Sequence, residues 1–319
     1  MHGSEKNLLL LEPQAIDCSG PWLFWGGEPD RAFLESLGRE GQIEPVLVVR
    51  QDGRNLLVAG SRRVMGLARL NLPVRAVLAD PTGPAQLGIA YLLSNWGRAV
   101  DDGMRVRALR FFCAIDVEPE GYDRVLTLLG VEPRSRQARF LGEWLTLPKD
   151  WDQLLEVENI PLAAASYLCC MGSEERDAVF PFFKGVKWSR GNALHFLTWL
   201  TEIGKRDQVP VDAVVDNLAL KTHLVPELSP KDTIFRLLKG VRKSRFSQLS
   251  RLEDNFQHAS RQVLAQTGWT VLQPDNFETE RVEFRLTVSH RDGLEEAVKK
   301  LERFVESGGA DPLFKDQNT

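Results

Sequence analysis

Several features are scarce or absent in this chain of 319 residues. The longest purely aliphatic run is Leu8 to Leu11, whereas a membrane-spanning helix needs about 20 apolar residues. The same run lacks the basic flank and the cleavage site of a signal peptide. We therefore expect a cytoplasmic protein with no membrane partner.

Cysteine is also rare, and its four copies form no C-x-x-C pair. This spacing argues against a structural zinc site, and a disulfide framework does not suit a cytosolic chain. Cys169 and Cys170 lie in an apolar stretch, so we expect buried, neutral thiols there. The five histidines share no spacing with carboxylates or cysteines. They indicate neither a catalytic triad nor a metallohydrolase site.

An excess of positive charge, the simplest sign of a nucleic-acid partner, is missing because the net charge is −4. A whole-chain sum hides local patches, however. The cations concentrate at 60–63, 134–139 and 231–251, and the last run sets seven Lys and Arg against the single Asp232. With 43% hydrophobic and 26% charged residues, the chain is long enough for two or three folded domains.

Residues 1–82 have the pattern of a mixed α/β domain. The predicted elements are a helix over 30–40, strands over 45–50 and 55–59, a helix over 60–70 and a strand over 72–78. A cluster of Pro and Gly at 80–84 predicts a boundary.

Residues 83–225 have a helical pattern and include a candidate helix-turn-helix. Tyr122 to Leu129 predicts its first helix, Gly130 the turn, and Pro133 suits the first turn of the second helix. A recognition helix would meet DNA base edges and phosphates with the polar residues near its start. These are Arg134, Ser135, Arg136, Gln137 and Arg139. The alternative is a helical hairpin with a solvated basic face.

Residues 226–245 are predicted to be a basic linker. Four of its cations are candidates for non-specific attraction to DNA phosphates, and the alternative is a merely charged linker. They are Lys239, Arg242, Lys243 and Arg245.

Residues 246–306 predict a helix–strand–strand–helix unit, with Asp292 and Glu295 as the capping box of its last helix. So small a unit buries little apolar surface and leaves a strand edge open. We therefore expect a homodimer through 246–306. The alternative is a small domain that packs on its own chain. Residues 307–319 are predicted to be a frayed tail.

Two short segments have residues suited to phosphate. Gly60-Ser61-Arg62-Arg63 stands between a strand and a helix, where backbone N–H groups and arginines can bind an anion. In Ser94-Asn95-Trp96-Gly97-Arg98, Asn95 offers an oxygen to a metal ion and Arg98 a further phosphate donor. Each segment alone is a weak signal and is better explained as a solvated polar turn.

The order of these segments resembles the amino-terminal domain of ParB partition proteins. That family has a G-x-x-Q-P box, a G-E-R-R box and an E-N-x-x-R box, which match Gly41–Pro45, Gly60–Arg63 and Ser94–Arg98. Downstream, Leu145–Pro148 is similar to the family's L-x-L-P segment, and Val282–Phe304 to its dimerising carboxy-terminal domain. The resemblance spans most of the chain.

The resemblance implies an α+β multidomain fold. A ParB/sulfiredoxin-like α/β domain (1–82) precedes an all-α helix-turn-helix domain (83–225), the linker and a small αββα dimerisation domain. The implied function is a DNA-binding protein of chromosome or plasmid partition, dimeric and gated by CTP as a clamp on double-stranded DNA. A ParA-type ATPase partner and nucleoid association follow from the same resemblance.

Other functions stay open. They are a transcriptional regulator of a mobile element, a sulfiredoxin-like phosphotransferase or nuclease, and an adaptor that retains the fold without either ligand.

By position, the resemblance also implies site residues. The residues that would contact the CTP phosphates are Gly60, Ser61, Arg62, Arg63 and Arg98. Asn95 would hold Mg²⁺. Two departures matter, because Ser61 and Ser94 stand where the family has Glu. Losing two carboxylates weakens a magnesium site and removes a group that could orient water. The expected enzymatic activity is at most weak CTP hydrolysis.

Overall fold

The computed structural model describes residues 8–80, 83–225, 227–275, 277–279 and 281–314. They belong to two compact units, one reaching to Leu197 and the other beginning at Thr198. Of the predicted boundaries, Pro81, Thr82 and Pro226 lie outside the described residues, as do 315–319 of the tail. The predicted division into domains stays a prediction.

A five-stranded mixed sheet opens the first unit. Its strands are β1 (Leu8–Leu11), β2 (Ile16–Asp17), β3 (Val46–Gln51), β4 (Arg54–Ala59) and β5 (Val74–Leu78), in the spatial order β1-β5-β3-β4-β2. β3 pairs with β5, and β2 with β4, in parallel, whereas β1–β5 and β3–β4 are antiparallel. Asp52 and Gly53 have φ of 48° and 74°, the positive values that a tight turn between β3 and β4 requires.

Helices α1 (Arg31–Glu40) and α2 (Ser61–Arg69) pack against this sheet. Branched and aliphatic side chains fill the layer between them, and burying such side chains contributes about 25 cal/mol per Å² of apolar surface. They are Ile16, Leu37, Val46, Val48, Leu57, Val64, Leu67, Val74 and Ala76. The elements predicted over 30–78 are confirmed, with bounds shifted by one or two residues.

The sequence pattern missed β1 and β2. β1 lies at the edge of the sheet with Leu8 and Leu10 exposed, so its four leucines show no alternation of polarity. β2 has only two residues, too few for any pattern.

The rest of the first unit is helical, as predicted. The helices are α3 (Pro84–Ser94), α4 (Asp102–Ala114), α5 (Pro119–Leu128), α6 (Arg136–Leu145), α7 (Asp150–Glu156), α8 (Ala165–Leu168), α9 (Ser173–Phe183) and α10 (Arg190–Asp207), whose end continues into the second unit. Phe24 packs against Tyr91 and Phe111 at centroid distances of 5.3 Å each. These rings join the segment before α1 to α3 and α4.

The predicted helix pair exists as α5 and α6, with Gly130 at φ 73° in the turn between them. The prediction for Pro133 is wrong, because this residue lies in the turn and α6 begins only at Arg136. The reason is the cap: Ser135 Oγ accepts a hydrogen bond from the N–H of Ala138 at 3.1 Å.

The prediction of two buried thiols is also wrong. Cys170 is exposed and Cys169 is half-buried, because both follow the end of α8 at Leu168, where the helical spacing that predicted burial no longer applies. Desolvation is the main cause that raises the pKa of the Cys169 thiol.

The second unit contains α11 (Val211–Asn217), α12 (Pro230–Arg245), α13 (Ser247–Thr267), β6 (Thr270–Leu272), β7 (Glu283–Arg285) and α14 (Arg291–Glu306). Four 3₁₀ turns complete the described residues of the chain, at Pro13–Ala15, Leu162–Ala164, Leu220–His223 and Asp311–Leu313. The helix–strand–strand–helix order is confirmed, and the α+β composition of the whole chain with it. None of the described helices is long and apolar enough to cross a bilayer.

Three local predictions in this unit are wrong. His290 caps α14 in place of Asp292, because its Nδ1 accepts the N–H of Gly293 at 2.9 Å. The segment predicted as a linker folds as α12, which buries Ile234, Leu237 and Val241. The start of the predicted tail is packed, since Ala310 and Leu313 are buried in the same cluster as Val263 of α13 and Phe304 of α14.

Candidate functional sites

Gly60 forms the sharp turn between β4 and α2. Its backbone has φ 107° and ψ 27°, a left-handed conformation that side-chain-bearing residues rarely adopt. A Cβ on Gly60 would lie 2.7 Å from Val46 Cγ1 on the neighbouring strand. The turn therefore requires glycine. The Gly60 carbonyl accepts the N–H of Arg63 at 2.9 Å, and no side-chain hydrogen bond caps the start of α2. The first N–H groups of a helix have no acceptor inside it and attract anions.

The second segment follows the end of α3. Asn95 caps this helix, and its Nδ2 donates a hydrogen bond to the carbonyl oxygen of Tyr91 at 2.8 Å. The Tyr91 hydroxyl accepts the N–H of Trp25 at 3.0 Å and donates to the Trp25 carbonyl at 3.2 Å. Burial raises the pKa of Tyr91. Tyr91 therefore fixes Asn95 relative to the segment before α1.

Both segments line one cavity of about 170 Å³. All six residues predicted for the nucleotide site are among its walls, although they come from segments more than 30 residues apart. The described lining consists of Phe33, Ala59, Gly60, Ser61, Arg62, Arg63, Tyr91, Ser94, Asn95 and Arg98.

Arg62 is held at the edge of the cavity by two groups of α1 that sequence reasoning missed. Its Nη2 donates to Asp30 Oδ2 at 2.7 Å, and its guanidinium carbon lies 5.0 Å from the centre of the Phe33 ring. The backbone N–H of Phe33, and then Arg62, lower the pKa of Asp30. Arg62 Nε is buried and has no hydrogen-bond acceptor among the described residues. This N–H could bind an oxygen of a ligand.

Arg63 ties α2 to the segment that matches the first box. Its Nη1 donates to the carbonyl oxygens of Glu44 and Pro45 at 2.9 and 2.8 Å. In the same segment Gln42 Nε2 donates to the carbonyl oxygens of Glu44 and Arg75 at 2.9 and 2.8 Å. Gln42 is thus a structural residue that joins this segment to β5.

Arg98 is exposed, and its guanidinium carbon lies 5.5 Å from the centre of the Trp25 ring. A second cavity of about 620 Å³ shares Asn95 and Arg98 with the first and extends to Leu129 and Gly130, at the turn before α6. The loop after α3 therefore faces both the anion-suited cavity and the helix pair.

The residues present do not fit a magnesium ion. No carboxylate is among the described residues that line the first cavity, and no group of three or more His, Cys, Asp or Glu suited to a metal occurs within the described ranges. Asn95 contributes one neutral oxygen. Mg²⁺ sites in proteins usually include one or two carboxylates.

The predicted DNA-reading residues lie in and before the first turn of α6. Arg134, Arg136 and Arg139 are exposed. The other two have internal bonds: Ser135 caps the helix, and Gln137 Nε2 donates to Asp102 Oδ1 at 3.0 Å. The exposed arginines are therefore the side chains best able to contact a nucleic acid, although Arg139 Nε lies 3.5 Å from Glu143 Oε1 and would exchange this carboxylate for a phosphate.

A buried network that sequence reasoning missed anchors α6. Arg110 of α4 donates from Nε and Nη2 to the two carboxylate oxygens of Asp152 on α7, at 2.5 and 2.8 Å. Trp144 of α6, which is fully buried, donates from Nε1 to Asp152 Oδ1 at 3.0 Å. Asp152 thus joins three helices. A carboxylate two residues after the start of a helix gives no local signal of such a role.

In the basic run, three of the four predicted DNA contacts have carboxylate partners within the second unit. Arg242 forms a two-bond ion pair with Glu253, Lys243 pairs with Asp254, and Arg245 with Glu202. Lys239 lies on the same helix. DNA contact by these four residues stays a prediction, and three of them would have to exchange a carboxylate for a phosphate.

No family model and no curated protein matches this chain. Among the solved structures similar to it are two of the C-terminally truncated chromosome-partitioning protein ParB from Caulobacter crescentus. The structure complexed to the centromeric parS site has a TM-score of 0.37 and 14% identity, and the match covers 56% of this chain and 92% of that one. The structure complexed with CTP-γ-S has a TM-score of 0.25 and 18% identity, and the match covers 52% of this chain and 93% of that one. At these values no residue role is transferred from either structure. Over about half its length, this chain is similar to ParB, the partition family whose boxes the sequence resembles.

Proposed function

We propose that this protein is a ParB-like, nucleotide-binding DNA-binding protein of chromosome or plasmid partition. The observation that carries the proposal is the cavity that Gly60–Arg63 and Ser94–Arg98 form together. Three arginines and the start of α2 line it, which is the chemistry that phosphate groups require. The order of the sequence boxes favours CTP among the nucleotides.

We further propose that the nucleotide gates DNA binding. The support is the second cavity, which connects Arg98 to the turn before α6. Arg105 on its wall donates from Nε to the carbonyl oxygen of Leu129 at 3.2 Å. A ligand that repositions Arg98 would change the packing next to the turn of the helix pair, and through it the presentation of α6. A ParA-type ATPase partner and nucleoid association stay predictions.

The DNA-binding part is tested with the double variant Arg134→Ala/Arg136→Ala. Specific contacts of an arginine are worth about 1–3 kcal/mol each, so we expect at least a tenfold loss of affinity, about 1.4 kcal/mol, for the preferred site. The slope of log affinity against log salt should fall by about one for each phosphate that the variant no longer neutralises. Gel shifts of the full chain with fragments of its own genome, at several salt concentrations, provide the measurement.

The matched control is Arg31→Ala/Arg39→Ala on α1, which removes the same two charges at exposed positions. It should bind the preferred site nearly as well as the unaltered chain. Equal losses in the two double variants would mean that α6 does not read DNA. No preference for any genomic fragment would reject the site-specific function.

A homodimer through the last helix is the second part of the proposal. α14 exposes Leu294, Val298 and Val305, with exposed fractions of 43%, 38% and 53%, although Ala297 and Phe304 on the same helix are buried. Positions 294, 298 and 305 fall on one face at helical spacing. An exposed apolar stripe of this kind suits a symmetric contact with an identical chain.

The variant Val298→Asp should convert the dimer to a monomer. Two-fold symmetry places the new carboxylate in the interface twice, and burying an unpaired charge is costly. We expect the dimer dissociation constant to rise by at least about 100-fold, or about 2.7 kcal/mol, as measured by sedimentation equilibrium. Lys299→Gln, at the next and exposed position, changes the net charge equally and should leave the dimer intact. If both variants dissociated the dimer, the apolar stripe would not be its interface.

A further inference from the structure

We infer that the cavity between α2 and α3 binds the phosphate chain of a nucleotide without a divalent cation. This inference rests on the proposed nucleotide site. The negative charge of the phosphates, which a magnesium ion would otherwise neutralise, is neutralised by the start of α2 and by Arg62, Arg63 and Arg98.

The cavity lacks the ligands that a metal would add. Ser61 and Ser94 offer neutral hydroxyl groups, and the amide of Asn95 is oriented by its bond to the Tyr91 carbonyl. Asp30 is a carboxylate next to the cavity, and its Oδ2 already accepts a bond from Arg62 at 2.7 Å. A magnesium ion there would have to compete with a guanidinium for that oxygen.

The arginines have unused donors. An arginine has five N–H groups, and among the described residues Arg62 uses Nη2 for Asp30 while its buried Nε–H has no acceptor. A buried donor without a partner is costly, so a phosphate oxygen that reaches it would gain a charge-assisted bond and remove that cost. Arg63 uses Nη1 for two carbonyl oxygens, which leaves Nε and Nη2 for a ligand.

The balance of charge favours the metal-free form of the nucleotide. Three guanidinium groups and about half a positive charge at the start of α2 surround the cavity. Two carboxylates approach it from outside: Asp30 pairs with Arg62, and the mostly exposed Glu44 lies 3.6 Å from Arg63. Arg98 and the start of α2 thus leave the wall cationic. A bound magnesium ion would add two positive charges to this wall and would be repelled by it.

The test is a calorimetric titration of the full chain with CTP, ATP and GTP, once with excess EDTA and once with excess Mg²⁺. We expect CTP to bind in EDTA at least as tightly as in Mg²⁺, because excess Mg²⁺ draws free CTP into a complex that this cationic cavity disfavours. Binding that is at least about tenfold weaker in EDTA would overturn the inference and leave the proposed nucleotide site standing. If none of the three nucleotides binds in either condition, both the inference and the nucleotide site are rejected.

A gain-of-function variant tests the same inference independently. Ser94 is exposed, so Ser94→Glu should fold normally and return the carboxylate that the family has at this position. In this variant we expect Mg²⁺ to tighten CTP binding by at least about fivefold over EDTA. Ser94→Gln, which has the same shape as the glutamate without its charge, should respond to Mg²⁺ in the same way as the unaltered chain. An equal tightening by Mg²⁺ in the unaltered chain would show that it already holds a metal.

Discussion

Replacing Gly60 with alanine should destabilise the sheet region by about 2–4 kcal/mol and abolish nucleotide binding. Two effects add. The left-handed backbone at φ 107° disfavours any residue with a Cβ, and the new Cβ would lie 2.7 Å from Val46 Cγ1. Relief of this clash requires the β4–α2 turn to open, and the opening would misalign Ser61 and Arg62 at the start of α2. Urea unfolding, with hydrogen exchange of the β3 and β4 amides as the local readout, measures the loss.

Gly53→Ala separates the two effects. Gly53 also has a positive φ, 74°, but apart from its chain neighbours no atom of the described residues lies within 4 Å of the position of its Cβ. This variant should lose only about 1 kcal/mol from backbone strain. In the double variant Gly60→Ala/Val46→Ala the 2.7 Å contact with Cγ1 is removed and the nearest remaining atom is the Cβ of residue 46 at 3.1 Å, so part of the stability of Gly60→Ala should return relative to Val46→Ala alone. If Gly60→Ala costs no more than Gly53→Ala, close packing on Val46 is not what requires glycine.

The elements around the cavity were predictable because their signals are local. A strand, a glycine and a basic helix start follow one another in the sequence, so the turn at Gly60 and the position of Arg62 could be predicted from periodicity. That Arg62 and Asn95 line the same cavity could not be predicted from periodicity. Only the resemblance to the ParB boxes implied it. Asp30 was identified as the start of a helix, but its ion pair with Arg62 spans 32 residues and leaves no mark in the local pattern.

Charge counting over the basic run missed the carboxylate partners of its cations for the same reason. Within 231–251 the sequence has one carboxylate, which suggested free cations for DNA. Helix α13 then brings Glu253 and Asp254 beside α12, while Glu202 reaches Arg245 from the end of α10. A count over a window cannot include partners that the fold supplies from outside it. The apolar spacing of Ile234, Leu237 and Val241 was the available signal that this run is a packed helix.

Substituting Asp152 with alanine should destabilise the helical part of the first unit by about 2–4 kcal/mol and weaken DNA binding. The side chains of Arg110 and Asp152 are only 17% and 18% exposed. Without the carboxylate, the indole N–H of Trp144 loses its acceptor. The largely desolvated guanidinium of Arg110 loses its counter-ion and keeps the carbonyl oxygens of Leu145 and Leu147 as acceptors. Because Trp144 belongs to α6, the loss should also loosen the helix that we propose contacts DNA. Urea unfolding and gel shifts of the same preparation measure the two effects.

Asp150→Ala is the matched control, because it removes a carboxylate from the first turn of the same helix at an exposed position. Loss of its interaction with the start of α7 should cost only about 0.3–1 kcal/mol. A double-mutant cycle with Arg110→Met then isolates the ion pair. If the pair is responsible, Asp152→Ala should cost much less in the Arg110→Met background, because no buried charge is left unpaired. Equal costs in both backgrounds would assign the loss to Trp144 and the packing of α7, and the anchoring of α6 would then depend on the indole bond alone.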